Sequence, residues 1–368
     1  MNKFAALTIT TALAAASQAQ AAVTIEGEQG KLTIGGDVEF NVNYVDNDVN
    51  TTSDDKSWDQ DGRFLISFLG ERQQGDYMIR ALAQPTYGTD GGVSTDDVWF
   101  EVAKNDSWTL RLGRYEAYDM NPLGQDVFVN HSGDTADGQF KDDGVYIYRM
   151  LEARGRSGSA GQAMYNQTFG NVYVEVSTLF GDNSGFFESN KYHGVELTKK
   201  NNKNVFIVRP VVAYQQGAFK VAAALETNLV SDSTLDANGN DVSERTGYGL
   251  TAGYNQDGLA VNLNVARMDA LDETDTTYGA NVLWHKFGLG YIHGINDVSN
   301  VTLKGTDNSG VTAYKKKVST IYSSYQFDNV VVPEFSIYLG AYISKLDNPK
   351  TTEDDNNFGG RVRFKYLF

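Results

Sequence analysis

The sequence predicts an all-β chain: a transmembrane antiparallel β-barrel of about 16 strands, with a long loop folded into its lumen. Three observations predict it. Apolar and polar residues alternate over stretches longer than a soluble strand uses. Short turns alternate with long polar loops. The chain closes on the alternating run GRVRFKYLF, residues 360–368.

The chain begins MNKFAALTITTALAAASQAQA. Lys3 supplies a positive start, Phe4 to Ala16 an apolar stretch, and Ala19-Gln20-Ala21 a small-x-small cleavage site. Residues 1–21 are expected to be a signal peptide, with residues 22–368 forming the barrel. Cleavage after Ala21 would leave 347 of the 368 residues and take the formal net charge from −16 to −17, because Lys3 goes. A chain with 31 basic against 47 acidic residues is a poor partner for nucleic acid, whose phosphates need a basic face. There is no cysteine, and a barrel closed by its own hydrogen bonds needs no disulfide.

Residues 32–44 show the alternation best. Leu32, Ile34, Val38, Phe40, Val42 and Tyr44 share one face, and Thr33, Asp37, Glu39, Asn41 and Asn43 share the other. A tilted membrane-crossing strand needs roughly 9–11 residues, and this stretch is long enough. The pattern returns at 219–226, 248–254, 259–266, 278–284 and 335–343. Polar loops are expected at 45–62, 230–244 and 296–314, and a tight turn at 255–258. Tyr44, Trp108, Tyr254 and Trp284 stand where interface girdles would lie. Sixteen or seventeen stretches qualify as strands, with the ambiguity at 143–165; even numbering selects sixteen.

On the last strand Val362, Phe364, Tyr366 and Phe368 are expected to face lipid, and Arg361, Arg363 and Lys365 the lumen. No backbone group can stay unpaired in lipid, so this strand should close against residues 31–44, beside Asp37 and Glu39.

With these features the whole chain resembles a Gram-negative outer-membrane porin. The stretch RLGRYEAYDMNPLGQDVFVNHSGD, residues 111–134, is similar to the strand and inward-folded loop of carbohydrate porins of the raffinose-porin type. In those, a Gly-Arg-aromatic-Glu run precedes a Pro-Leu-Gly segment. The resemblance implies a bacterial outer-membrane location, a homotrimer, a long third loop narrowing each pore, and a terminal Phe368 read during assembly. It also implies neighbours of membrane lipid and lipopolysaccharide, and small hydrophilic solutes or sugars as cargo.

Residues 115–143 are the expected constriction loop. They mix apolar residues with acidic ones, and a loop of this length is usually functional or disordered. Its acidic groups are Glu116, Asp119, Asp126 and Asp134. A basic wall of Arg80, Arg111, Arg114, Arg149, Arg154 and Arg156 is expected opposite, setting a transverse field that biases passage. Trp99, Tyr115, Tyr118 and Phe128 are candidate sugar-stacking faces.

The four histidines, His131, His193, His285 and His293, fall in no HExxH pattern, and the chain has no GxSxG elbow or P-loop. The Asp/Asn runs at 46–61 and 353–357 lack the order of a calcium loop. No enzyme activity, metal or cofactor is therefore expected. The expected function is a passive diffusion channel, carbohydrate-facilitating; the alternatives are a general porin without a sugar site, and a barrel enzyme or adhesin.

Overall fold

The computed structural model describes residues 22–47, 55–105, 107–125, 131, 139–140, 145–156, 161–182, 184–198, 203–299, 314–347 and 355–368. The expected signal peptide, residues 1–21, lies outside them.

Among the described residues, sixteen strands form the wall. The first five are β1 (Gly30–Asn47), β2 (Asp55–Gln74), β3 (Tyr77–Gly88), β4 (Val93–Lys104) and β5 (Trp108–Arg114). Then follow β6 (Gly161–Phe169), β7 (Val172–Gly181), β8 (Val205–Gln216), β9 (Phe219–Asn228), β10 (Thr246–Gln256) and β11 (Leu259–Ala270). The last five are β12 (Glu273–Trp284), β13 (Phe287–Val298), β14 (Tyr314–Phe327), β15 (Phe335–Asp347) and β16 (Asp355–Leu367). Each pairs antiparallel with the next, and β16 pairs with β1, so no edge is left open.

The closure follows the side-chain parity. Lys365 lies opposite Glu39, Arg363 opposite Asn41 and Arg361 opposite Asn43, all facing inward. The backbone of Phe368 exchanges hydrogen bonds with Gly36, at 2.9 and 3.1 Å. Its ring stacks on Phe64 at 5.4 Å and covers the outer face of Gly36, where a Cβ would strike it. The short strand Val23–Gly27 pairs with Gly30–Ile34, in line with the end of β16.

The outer surface carries the apolar half of each strand, including Phe40, Phe64, Phe100, Val212, Leu263 and Ile321. Aromatics gather near the short turns: Tyr77 with Trp108, Trp108 with Tyr165, and Phe219 with Tyr254.

Two boundaries differ from the sequence expectation. The polar run 45–62 is mostly strand, since β1 continues to Asn47 and β2 starts at Asp55. Above an apolar band a ribbon can be polar on both faces, so polarity alone misplaced the turn. Loop-side connections are not all long either: residues 89–92 and 271–272 close β3–β4 and β11–β12 tightly.

Candidate functional site: the lumen and its inward loop

The connection between β5 and β6 folds into the barrel. Its described parts are an outbound arm, residues 115–125, a return arm, residues 145–156, and residues 131 and 139–140 between them. The expected loop ended at residue 143; the structure carries it through Arg156 and up to Gly161. Of the ambiguous stretch 143–165, residues 145–156 are return arm and residues 161–165 begin β6.

The wall from β8 to β13 is shaped to receive these arms. Several of its inward positions are glycine, so the loop packs close there. At Gly247 an added Cβ would collide with the Tyr148 hydroxyl, at Gly249 with the Met150 sulfur, and at Gly294 with Ile147. Tyr118, Met120, Tyr146, Tyr148 and Met150 from the loop are buried against Val211, Ala222, Ala266 and Met268 of the wall.

Polar groups fix the register. The Glu175 carboxylate accepts the Tyr118 N–H at 3.1 Å and the Tyr173 hydroxyl at 2.6 Å. Arg209, fully buried, donates to the Tyr118 carbonyl at 2.7 Å. Farther along, Asn281 donates to the Pro122 carbonyl at 2.6 Å and Tyr322 to the Leu123 carbonyl at 2.9 Å. On the return arm, Asn296 accepts the Tyr146 N–H at 2.8 Å and donates to its carbonyl at 3.0 Å. Glu226 accepts the Tyr148 hydroxyl and the Ala153 N–H, both at 2.8 Å. Arg245 pairs with Glu152 at 2.7 Å. A buried carboxylate costs several kcal/mol unless bonded, so these groups commit the loop to one seat.

The rest of the wall carries long charged side chains. Lys365 pairs with Glu39 at 2.6 Å, and Arg63 meets Asp37 at 3.2 Å and Glu39 at 3.5 Å. Arg361 bonds Asn43 at 2.7 Å and Asp61 at 3.1 Å. Arg363 bonds Asn41 at 2.9 Å.

The residues singled out from sequence fall into three groups. Arg80 and Arg111 face inward and both grip Glu101, at 2.6 Å for Arg111, whose guanidinium also lies 4.3 Å over the Trp99 ring. Arg114 donates to the carbonyls of Thr95, Asp96 and Arg156, a brace rather than a pore-facing charge. Arg149, Arg154 and Arg156 do not stand across the lumen from the loop; they ride on its return arm. There Arg154 lies 3.5 Å from both Glu116 and Asp119. Tyr115 and Tyr118 are buried between loop and wall, so their faces are not offered to the lumen. Asp126, Phe128 and Asp134 lie outside the described residues.

Sequence reasoning passed over Glu101, Asp96, Asp97, Arg63 and Asp61. The alternation of Asp59, Asp61 and Arg63 with Gln60, Gly62 and Phe64 was the available signal.

Within the loop, His131 is buried, and burial first, then the nearby Arg149 charge, lowers its pKa to about 3. Burial likewise raises Tyr148 well above the ordinary phenol value, with Glu226 adding to it.

The chain matches the family described as porin-like glycoporin RafY over residues 34–368. A comparison with curated proteins gives no match. Among solved structures it is similar to an anion-selective porin from Comamonas acidovorans, at 14% identity and a TM-score of 0.56, covering 92% of this chain and 100% of that one. It is also similar to OprB of Pseudomonas putida in its high-pH structure, at 12% identity and a TM-score of 0.57, covering 91% and 94%. A loop L8 deletion mutant of OmpT, an outer membrane protein of Vibrio cholerae, aligns at 13% identity and a TM-score of 0.57, covering 93% and 100%. A match over most of the chain, on a closed sixteen-stranded barrel with an inward loop, places this protein in the RafY-type glycoporin family of bacterial outer-membrane porins.

Proposed function

We propose that the channel passes small hydrophilic solutes by passive diffusion, with carbohydrates as its favoured cargo. One observation carries this reading: the charged groups of β16, β1 and β2 are paired with one another. Arg361, Arg363, Lys365 and Arg63 meet Asn43, Asn41, Glu39, Asp37 and Asp61 along the wall. Such a surface is dense in donors and acceptors, and its four cations stand against three carboxylates and two amides, so little charge is left over. Hydroxyl-rich neutral solutes can exchange hydrogen bonds there; a single-sign ion gains little. The family description as a glycoporin agrees with it.

The transverse field expected between loop and wall takes a shorter form in this reading. Glu116 and Asp119 project from the loop with side chains 41% and 37% exposed, beside Arg154. Sugar contact then falls to polar groups more than to aromatic faces, since Arg111 covers Trp99. The assembly is read as a homotrimer set among lipid and lipopolysaccharide, with terminal Phe368 as its assembly signal. This reading has no catalytic step, in keeping with the porin family the chain matches.

Liposome swelling tests the reading. Neutral di- and trisaccharides should enter faster than charged solutes of equal size. Equal rates would instead mean a general porin. No uptake at all, with the barrel folded, would turn attention to an enzyme or adhesin.

A further inference from the structure

The two arms of the loop meet the open side of the wall at one place, on β4. Opposite β3, Ala83 pairs with Val98 and Pro85 with Thr95. One residue, Gln84, therefore faces two, Asp96 and Asp97. In a regular strand those neighbours would point to opposite faces. The bulge re-aims them, and bulges commonly do this beside functional sites.

Both carboxylates reach Arg156 of the return arm. Its Nη1 is 3.0 Å from Asp96 and its Nε 2.9 Å from Asp97. The same Nη1 lies 3.5 Å from Glu116 of the outbound arm. The backbone is held there too: Glu116 and Gly155 form an antiparallel bridge, and the Ala117 N–H donates to the Arg154 carbonyl at 2.7 Å. Gly155 has φ +132° and Arg156 φ +59°, and a Cβ on Gly155 would land on the Tyr115 carbonyl. A left-handed arginine is costly and persists only where surroundings enforce it. Behind the bulge, Arg63 stands 3.9 Å from Asp96 and carries the network on to Asp37 and Glu39.

We infer that Asp96, Asp97 and Arg156 form a clamp that sets the pore's free width, by fixing where both arms of the loop leave the wall. That position decides how far Glu116 and Asp119 project into the lumen. The clamp adds little to the barrel, whose strands are held by their own ladders. Its work is positional, and it holds whether or not the cargo is sugar.

Ionic current alone reads it. Full-length Asp97→Asn and Arg156→Gln proteins, folded into planar bilayers, should show larger and noisier single-channel steps than the parent. Asp97→Glu should keep parental steps. The exchange Asp97→Arg with Arg156→Asp keeps the local net charge and re-forms that one pair, but Asp96 and Glu116 then face a carboxylate, so it should be quieter than Arg156→Asp alone without reaching the parent. That partial rescue separates position from charge. Retained heat-modifiable migration on gels establishes that each barrel is folded. Parental step size and noise in both single variants would overturn the clamp, and so would an exchange variant no quieter than Arg156→Asp alone.

Discussion

Glu226→Ala should release the return arm while sparing the barrel. The Glu226 carboxylate is buried and accepts two bonds from the loop, at 2.8 Å from Tyr148 and 2.8 Å from Ala153. It also lies 3.9 Å from the fully buried Arg209. Removing it strands one hydroxyl and one N–H, at about 1–3 kcal/mol each, and takes a counter-charge from Arg209. Breaking a buried ionic group of this kind costs about 3–5 kcal/mol in total. At 1.4 kcal/mol per factor of ten, the docked arm loses roughly a hundredfold to a few thousandfold in population. The wall itself should hold, because the ladder bonds of β9 run through its backbone and Arg209 on β8 keeps Glu175 as a partner. Limited proteolysis of the folded protein reads the outcome: cleavage within 145–156 should rise steeply, with heat-modifiable migration unchanged. Glu226→Gln, which keeps one acceptor, should show a smaller rise. A parental cleavage rate in the alanine variant would refute the seating argument, and a lost barrel would refute the separation of loop from wall.

Other outcomes follow from the same geometry. Gly155→Ala should mimic release of the return arm, since its Cβ has nowhere to go at φ +132°; enhanced proteolysis at the loop checks it. Phe368→Ala, which removes the ring stacked on Phe64, should lower the yield of folded barrel in outer-membrane fractions, read by gel migration. Acidification should weaken the share of docking that His131 contributes. His131 folds with a pKa near 3 against an ordinary 6.5, so the undocked form binds the extra proton, and that share is lost as pH falls from about 6.5 towards 3. Proteolysis at pH 7 and pH 4.5 checks this, and His131→Gln should flatten the difference.

Much of the wall was legible because period two is dictated by strand geometry itself. Residues 32–44 and 360–368 display both faces, and the parity of Arg361, Arg363 and Lys365 against Glu39 follows from pairing the last strand with the first. The loop was legible only at its start. Val145-Tyr146-Ile147-Tyr148 alternates like a wall strand, and alternation reports an extended chain with two environments, not which surface lies on each side. The small inward residues Gly247, Gly249 and Gly294 were visible, but their purpose appears only once Tyr148, Met150 and Ile147 are laid over them. Charge pairing was hidden for another reason. Arg80 and Arg111 read as a basic wall until the register sets Glu101 between them. The Asp96–Asp97 pair drew no notice in the sequence, because only a bulge in the register turns both carboxylates to one side.

The central claim is that a seated loop leaves one nearly neutral, hydrogen-bonding path along β16, β1 and β2. Single-channel recording with and without a neutral trisaccharide tests it most directly, comparing the parent with Arg63→Ala. The account predicts three equal conductance steps, reversible block by the sugar, and weaker block in the variant, because Arg63 joins Asp37 and Glu39 on that path. Current that no neutral sugar interrupts, in either protein, would contradict it.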